Sequence, residues 1–175
     1  VFKDDKLLYY LDGNETRGFN FIKGDVESGV IPVKDPAGQE ISLEIITTGR
    51  EIKTYINDGI PSVDMTIKMT TNIDEQWSAE DIYDEKTLNF LNSEQSEAIK
   101  SEVLNVIKKA QERNTDIFGL GDAIYHQHPG KWKDIEDKWE ELFPKMKINV
   151  NVESKINRTY DIKEPNQYEK KGKKQ

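Results

Sequence analysis

Residues of one face recur at every second position from Ile41 to Ile45 and from Val63 to Ile73, and apolar residues at steps of three and four from Leu88 to Ala110 and from Trp132 to Phe143. After Pro144 the period of two returns. A period of two places alternate side chains on opposite faces of a strand, and a period near 3.6 lines one face of a helix. Taken from the start, Val1-Phe2 and Leu7 to Leu11 read as a short hairpin with Asp4-Asp5 at its turn. Asp12-Gly13-Asn14 opens a short amphipathic helix through Ile22, with Phe19 and Ile22 on one side and Gly24 at its end. Asp25 to Val33 reads as a strand turned back by residues 34–38. Ile41, Leu43 and Ile45 begin one long strand to Ile56, with a bend or bulge at Gly49. Asn57-Asp58-Gly59 is a hairpin turn signal, because such turns need positive φ. Val63, Met65, Ile67, Met69, Thr71 and Ile73 then alternate without a break, completing an antiparallel meander.

Asp74 to Asp84 is acidic and irregular, with Trp77 as its one large apolar residue. The helical block that follows begins with Leu88, Leu91, Gln95, Ala98, Ile99, Glu102, Val103, Val106, Ile107 and Ala110, the stripe of a helix of about seven turns. Asn114 and Thr115 interrupt it, Asp116 to Gly121 forms a tight bend, and a second helical segment runs to His126. Pro129 suits the first position of a third helix, whose stripe is Trp132, Ile135, Trp139, Leu142 and Phe143 and which Pro144 stops. Met146, Ile148, Val150, Val152 and Ile156 return as a last strand, whose neighbour the sequence leaves open. Strands, then helices, then a strand predict an α+β fold. Its antiparallel β-sheet has about four main strands, with a long helix and two shorter helices on one face. Residues 1–160 form a single domain, and 161–175, which lack any period, read as a disordered basic tail.

Composition adds constraints. The 175 residues suit one domain, and 16 aromatic side chains supply a core. The net charge of −8 argues against a nucleic-acid or anionic-membrane surface, since phosphate recognition relies on clustered Lys and Arg. Five Lys against three acids give the tail +2, leaving −10 on the rest. No apolar run approaches the ~20 residues of a spanning helix, so this stretch is expected to be soluble by itself. Val1 is not an initiator Met and sits in a strand already under way, so the chain reads as cut from a longer one.

Candidate chemistry is sparse. Asp12, Asn14 and Thr16 have the spacing that begins a calcium loop, but Arg17 stands where Gly is needed and Lys23 where the bidentate Glu belongs, so the stretch reads as a helix cap. His126 and His128, the only histidines, lack a third ligand. Gly119-Leu120-Gly121 lacks the preceding strand and third glycine of a dinucleotide loop. Without cysteine there is no thiol nucleophile, and neither histidine has a nucleophile elbow. Acids such as Glu136-Asp137 and Glu140-Glu141 read as solvated faces rather than a glycosidase pair. Trp132 and Trp139 read as core anchors that alternatively stack on a sugar. Two sequons, Asn14-Glu15-Thr16 and Asn157-Arg158-Thr159, are formal only. No catalytic residue, metal or cofactor is expected.

Asp116-Ile117-Phe118-Gly119-Leu120-Gly121-Asp122-Ala123, followed by Pro129, Trp132, Trp139 and Phe143-Pro144, resembles the closing motif of the Ger(x)C spore germination proteins, the C subunits of germinant receptors. The resemblance extends to residues 1–7, Leu11-Asp12, Glu15 to Gly18, Gly29 to Ile31 and Ser42 to Ile45. It covers nearly the whole chain, as the family's last domain. The chain departs from the pattern at Leu120, where an aromatic is expected, at Asp122, where Glu is expected, and at Tyr9-Tyr10, where Gly-Trp is frequent. The resemblance implies a non-enzymatic subunit needed for nutrient-triggered germination. Its partners would be two integral-membrane subunits, A and B, and a lipid anchor upstream of this sequence would hold it to the outer face of the spore inner membrane. Phe118, Gly119, Leu120 and Gly121 are the candidate partner-binding residues, with a core role for Phe118 as the competing reading. Two further classes are a small-molecule or glycan binding module that senses ligand directly, and a hydrolase using carboxylates near the tryptophans.

Overall fold

The structure, a computed structural model, describes residues 1–3, 5–76 and 84–157. Asp4, residues 77–83 with Trp77, and residues 158–175, which include the tail 161–175, lie outside the described residues. The chain opens with a small hairpin of β1 (Phe2–Lys3) and β2 (Lys6–Leu7). Helix α1 (Gly13–Lys23) follows. Its N-cap, Asp12, accepts from the Glu15 amide at 2.8 Å, and Glu15 accepts in return from the Asp12 amide at 2.9 Å. This reciprocal box satisfies two donors that a helix start otherwise leaves open.

A four-stranded sheet carries the rest, in the order β3 (Val30–Lys34), β4 (Glu40–Asn57), β5 (Ile60–Gln76), β6 (Lys147–Ile156). β3 is shorter than the sequence pattern predicts. Before Val30 the chain lies along the β4 edge without laddering: the Val26 carbonyl accepts from Thr48 Oγ1 and the Gly29 carbonyl from the Ile45 amide. β4 and β5 form one long hairpin, turned by Asp58 and Gly59 with φ of 51° and 77°. Two consecutive left-handed residues make the turn whose twist matches that of the strands. β5 extends to Gln76, into the stretch expected to be irregular.

The bulge in β4 lies at Ile46, not at Gly49, since Ile45 pairs with Thr71 and Thr47 with Thr70. Ile41, Leu43 and Ile45 are buried before it, and Thr54 and Ile56 after it. One extra residue is what moves the core-facing set from odd to even positions. A second irregularity adjoins Ser42 and Leu43.

β6 lies beside β5 and runs parallel to it, from Ser62 opposite Lys147 to Thr71 opposite Ile156. The sheet is therefore mixed, with three antiparallel strands and a parallel fourth. Direction follows from the crossover: α2 (Glu85–Glu112), about 42 Å long at 1.5 Å per residue, carries the chain back toward the end where β5 began. Asp84 caps α2 through the amides of Lys86 and Thr87. The buried face of α2 is Thr87, Leu88, Leu91, Gln95, Ile99, Glu102, Val103, Val106, Ile107 and Ala110. Its polar members Gln95 and Glu102 are paired, Gln95 Oε1 accepting from Thr71 Oγ1 at 2.9 Å and Glu102 from Arg17. That ion pair pushes the Arg17 guanidinium above its usual value through the hydrogen bond to Glu102. α1 crosses α2 so closely that a Cβ on Gly18 would stand 2.6 Å from the Glu102 carbonyl oxygen.

After α3 (Leu120–Gln127) the expected third helix is broken up. Pro129 does open α4 (Pro129–Trp132), but a 3-10 turn at Glu136–Lys138, α5 (Trp139–Leu142) and a second 3-10 turn at Phe143–Lys145 follow, with Pro144 inside the last. Bonds from Ile135 N to Trp132 O and from Lys138 N to Ile135 O tighten the chain. The core lies between α1, α2 and α3 and the inner sheet face.

Candidate functional site

The segment from Asp116 to Gly121 is held from within. Asp116 Oδ1 accepts from the Leu120 amide at 3.0 Å and Oδ2 from the Gly121 amide at 2.8 Å, so one carboxylate satisfies two of the free donors at the start of α3. Gly119 makes the bend at φ 75° and is exposed. Phe118 is 4% exposed, its ring 6.1 Å from that of Phe19, and Leu120 is fully buried. Gly121 is the floor of an aromatic stack: a Cβ there would meet both Trp139 and Trp132 at about 3.0–3.1 Å. The Trp132 and Trp139 rings lie 5.4 Å apart, and Trp139 and Phe143 lie 5.8 Å apart. Of the four candidate residues, Phe118, Leu120 and Gly121 thus face inward and Gly119 faces solvent.

Above this floor runs a groove lined by Asp116, Gly121, Asp122, Tyr125, Trp132, Glu136 and Trp139. Tyr125 is 46% exposed. On the far side of Trp139 a second cleft reaches the β1–β2 hairpin, where Lys3 Nζ meets Glu140 at 2.7 Å. That contact draws the Glu140 carboxyl below its ordinary range. The carboxylates around the tryptophans differ: Asp116 is committed to backbone amides, Glu140 meets Lys3 at the surface, Asp122 stands 3.5 Å from His126 on the helix surface, and Glu136 is exposed at the rim of the groove.

The two histidines do not converge. His126 is exposed beside Asp122, and His128 Nε2 lies 2.6 Å from the Thr54 carbonyl. Among the described residues no three His, Cys, Asp or Glu side chains come together as a metal site. His128 belongs to a clamp that sequence reasoning missed. Gln127 Oε1 accepts from Thr54 N and Thr54 Oγ1, both at 2.9 Å, and Gln127 Nε2 donates to the Ile52 carbonyl at 3.0 Å. Lys131 Nζ donates to the Ile56 carbonyl at 3.0 Å. Beyond β3 the edge of β4 has no strand partner among the described residues, and these side chains take its place, tying the motif's helix to the sheet. No periodicity marks a side chain that bonds to backbone 75 residues away.

The chain matches, over residues 1–160, the family described as spore germination B3/GerAC like, C-terminal. It is 28% identical over 154 residues to spore germination protein B3 of Bacillus subtilis (strain 168), covering 87% of this chain and 41% of that protein. It is 28% identical over 142 residues to spore germination protein A3 of the same strain, covering 79% and 38%. The crystal structure of the GerBC protein is similar with a TM-score of 0.77 and 28% identity, covering 88% of this chain and 48% of that one. The chain thus spans less than half the length of these relatives. No helix among the described residues is long and apolar enough to cross a membrane. With the family match running through the sheet, helices α1 and α2 and the aromatic floor around Gly121, this chain belongs to the spore germination B3/GerAC-like family, as its C-terminal part.

Proposed function

We propose that this chain is the C-terminal part of a non-enzymatic subunit of a spore germinant receptor. It is needed for nutrient-triggered germination, acts with two integral-membrane subunits, A and B, and is held to the outer face of the spore inner membrane by a lipid anchor upstream. The observation that carries this reading is the family match over residues 1–160, joined to a motif built as a rigid support. Phe118, Leu120 and Gly121 set the shape of the segment from inside, and the partner would touch what they hold up: Gly119, Asp122 and Tyr125. The non-enzymatic part is supported by the Asp116 carboxylate, both of whose oxygens are held by backbone amides at the start of α3.

Deletion and complementation of the gene test the role, with germination followed by loss of optical density after nutrient addition. Spores without the gene should fail to respond, and Tyr125→Ala should lower the response and the co-purification of the membrane subunits while the isolated chain melts normally. Unimpaired nutrient germination without the gene would sink the proposal. The exposed aromatic groove favours a second reading, direct sensing of a small molecule or glycan, in which Tyr125 and Trp132 stack on the ligand. Calorimetric titration of the chain with sugars and amino acids separates the two readings, heat of binding lost in Tyr125→Ala marking the sensor.

A further inference from the structure

β6 is the last strand of the sheet, and its outer edge carries a defined open window. The Asn157 amide bonds to the Thr71 carbonyl on β5, whereas the Ile156 amide bonds outward to Asn92 Oδ1 on α2. Even-numbered residues of β6 therefore direct their backbone groups away from β5. At one end the Met146 carbonyl is taken by Gln111 Nε2 at 2.8 Å. At the other, Ser154 is held by Asn92 and Ser96, so α2 closes the edge there. Between them Ile148, Val150 and Val152 turn unpaired amides and carbonyls outward, with no strand of the described residues beside them. Their side chains, only partly buried on the core side, leave apolar surface at the rim. Leu104, seven residues before Gln111 and so on the same face of α2, is 39% exposed.

We propose that this window is closed by β6 of a second copy of the chain, paired antiparallel with Val150 opposite Val150. The strand's own charges select that occupant and that register. With Val150 on the two-fold axis, Ile148 faces Val152 on the core side, and on the solvent side Asn149 faces Asn151 and Lys147 faces Glu153, whose carboxylate already has Lys68 of β5 at 3.9 Å, each pair occurring twice. Sliding one step toward the C-terminal end sets Lys147 against Lys155. One step the other way sets Lys147 against Asn151 and removes the ion pairs. The hydrogen-bonding residues in the favoured register are those that α2 leaves open. A charged strand edge also deters indiscriminate pairing; here the charges repel in the neighbouring register and attract in one.

Sedimentation equilibrium of the 175-residue chain should give a mass that rises with concentration from 20.2 kDa toward twice that value. Lys147→Glu and Glu153→Lys, both at exposed positions, should each weaken the dimer about ten-fold or more, because two attractive cross-strand pairs become repulsive. The double variant Lys147→Glu/Glu153→Lys should restore it, since the pairs are then re-formed with exchanged signs. In hydrogen exchange the amides of Ile148, Val150 and Val152 should gain protection with concentration. A mass of 20.2 kDa at every concentration overturns the proposal. So does a dimer indifferent to the single substitutions, or one that the double variant fails to rescue.

Discussion

Phe118 and Tyr125 stand seven residues apart and do opposite jobs: one ring is buried against Phe19, the other half-exposed over the groove. Truncating a buried phenylalanine removes both its transfer energy and the packing around the space it leaves, so Phe118→Ala should destabilise the chain by ~3–5 kcal/mol. Tyr125→Ala, a surface change, should stay within ~0.5 kcal/mol. Urea unfolding of both variants checks the assignment, and near-equal midpoints would show that Phe118 is not a core residue. Gly121 fails in the other direction. A methyl group there presses on two indoles at about 3 Å, so Gly121→Ala should cost ~1–3 kcal/mol by overpacking, visible as a lowered midpoint together with altered tryptophan fluorescence.

Among the elements, α3 matters less for its own burial than for what its last turn does to β4. Gln127→Ala would leave Thr54 N, Thr54 Oγ1 and the Ile52 carbonyl without their partner, and an unmet buried group costs ~1–3 kcal/mol. The loss should be local: the Thr54 amide should exchange faster while amides central to β5 keep their protection. Equal loss across β5 would mean the clamp holds the whole sheet. Most elements are legible in the sequence, because α1, α2, β5 from Val63 to Ile73 and β6 each carry an unbroken period and that of β4 is interrupted only once. What stayed hidden depended on partners distant in sequence. The bulge had a sign in the shift from odd Ile41, Leu43, Ile45 to even Ile52, Thr54, Ile56, yet Gly49 drew attention as the conformationally free residue. The stripe from Trp132 to Phe143 has helical spacing, but it is carried by a series of short turns, with Trp132 and Trp139 closing on Gly121. For the same reason the motif at 116–121 was visible as a motif, while its division into an inward support and an outward surface needed the packing of Trp132 and Trp139.

For the whole molecule, the parallel pairing of β6 with β5 has a consequence in the order of assembly. Every β5–β6 register pair joins residues 85 apart, as Asp64 and Asn149 do, whereas the β4–β5 hairpin closes through a two-residue turn. Closing a loop of that length costs about 4 kcal/mol of chain entropy by the logarithmic rule, and nothing repays it until α2 lies on the meander. The hairpin end around Ile56 and Val63 should therefore belong to the folding nucleus, with β6 arriving after the rate-limiting step. In stopped-flow experiments Val63→Ala should slow refolding, while Val152→Ala should leave refolding nearly unchanged and accelerate unfolding. A Val152→Ala variant that refolds as slowly as Val63→Ala would place β6 in the nucleus instead. If the order holds, a nascent chain presents the uncovered flank of β5 until its last strand has been made, and that interval is when the sheet is most open to pairing with the wrong strand.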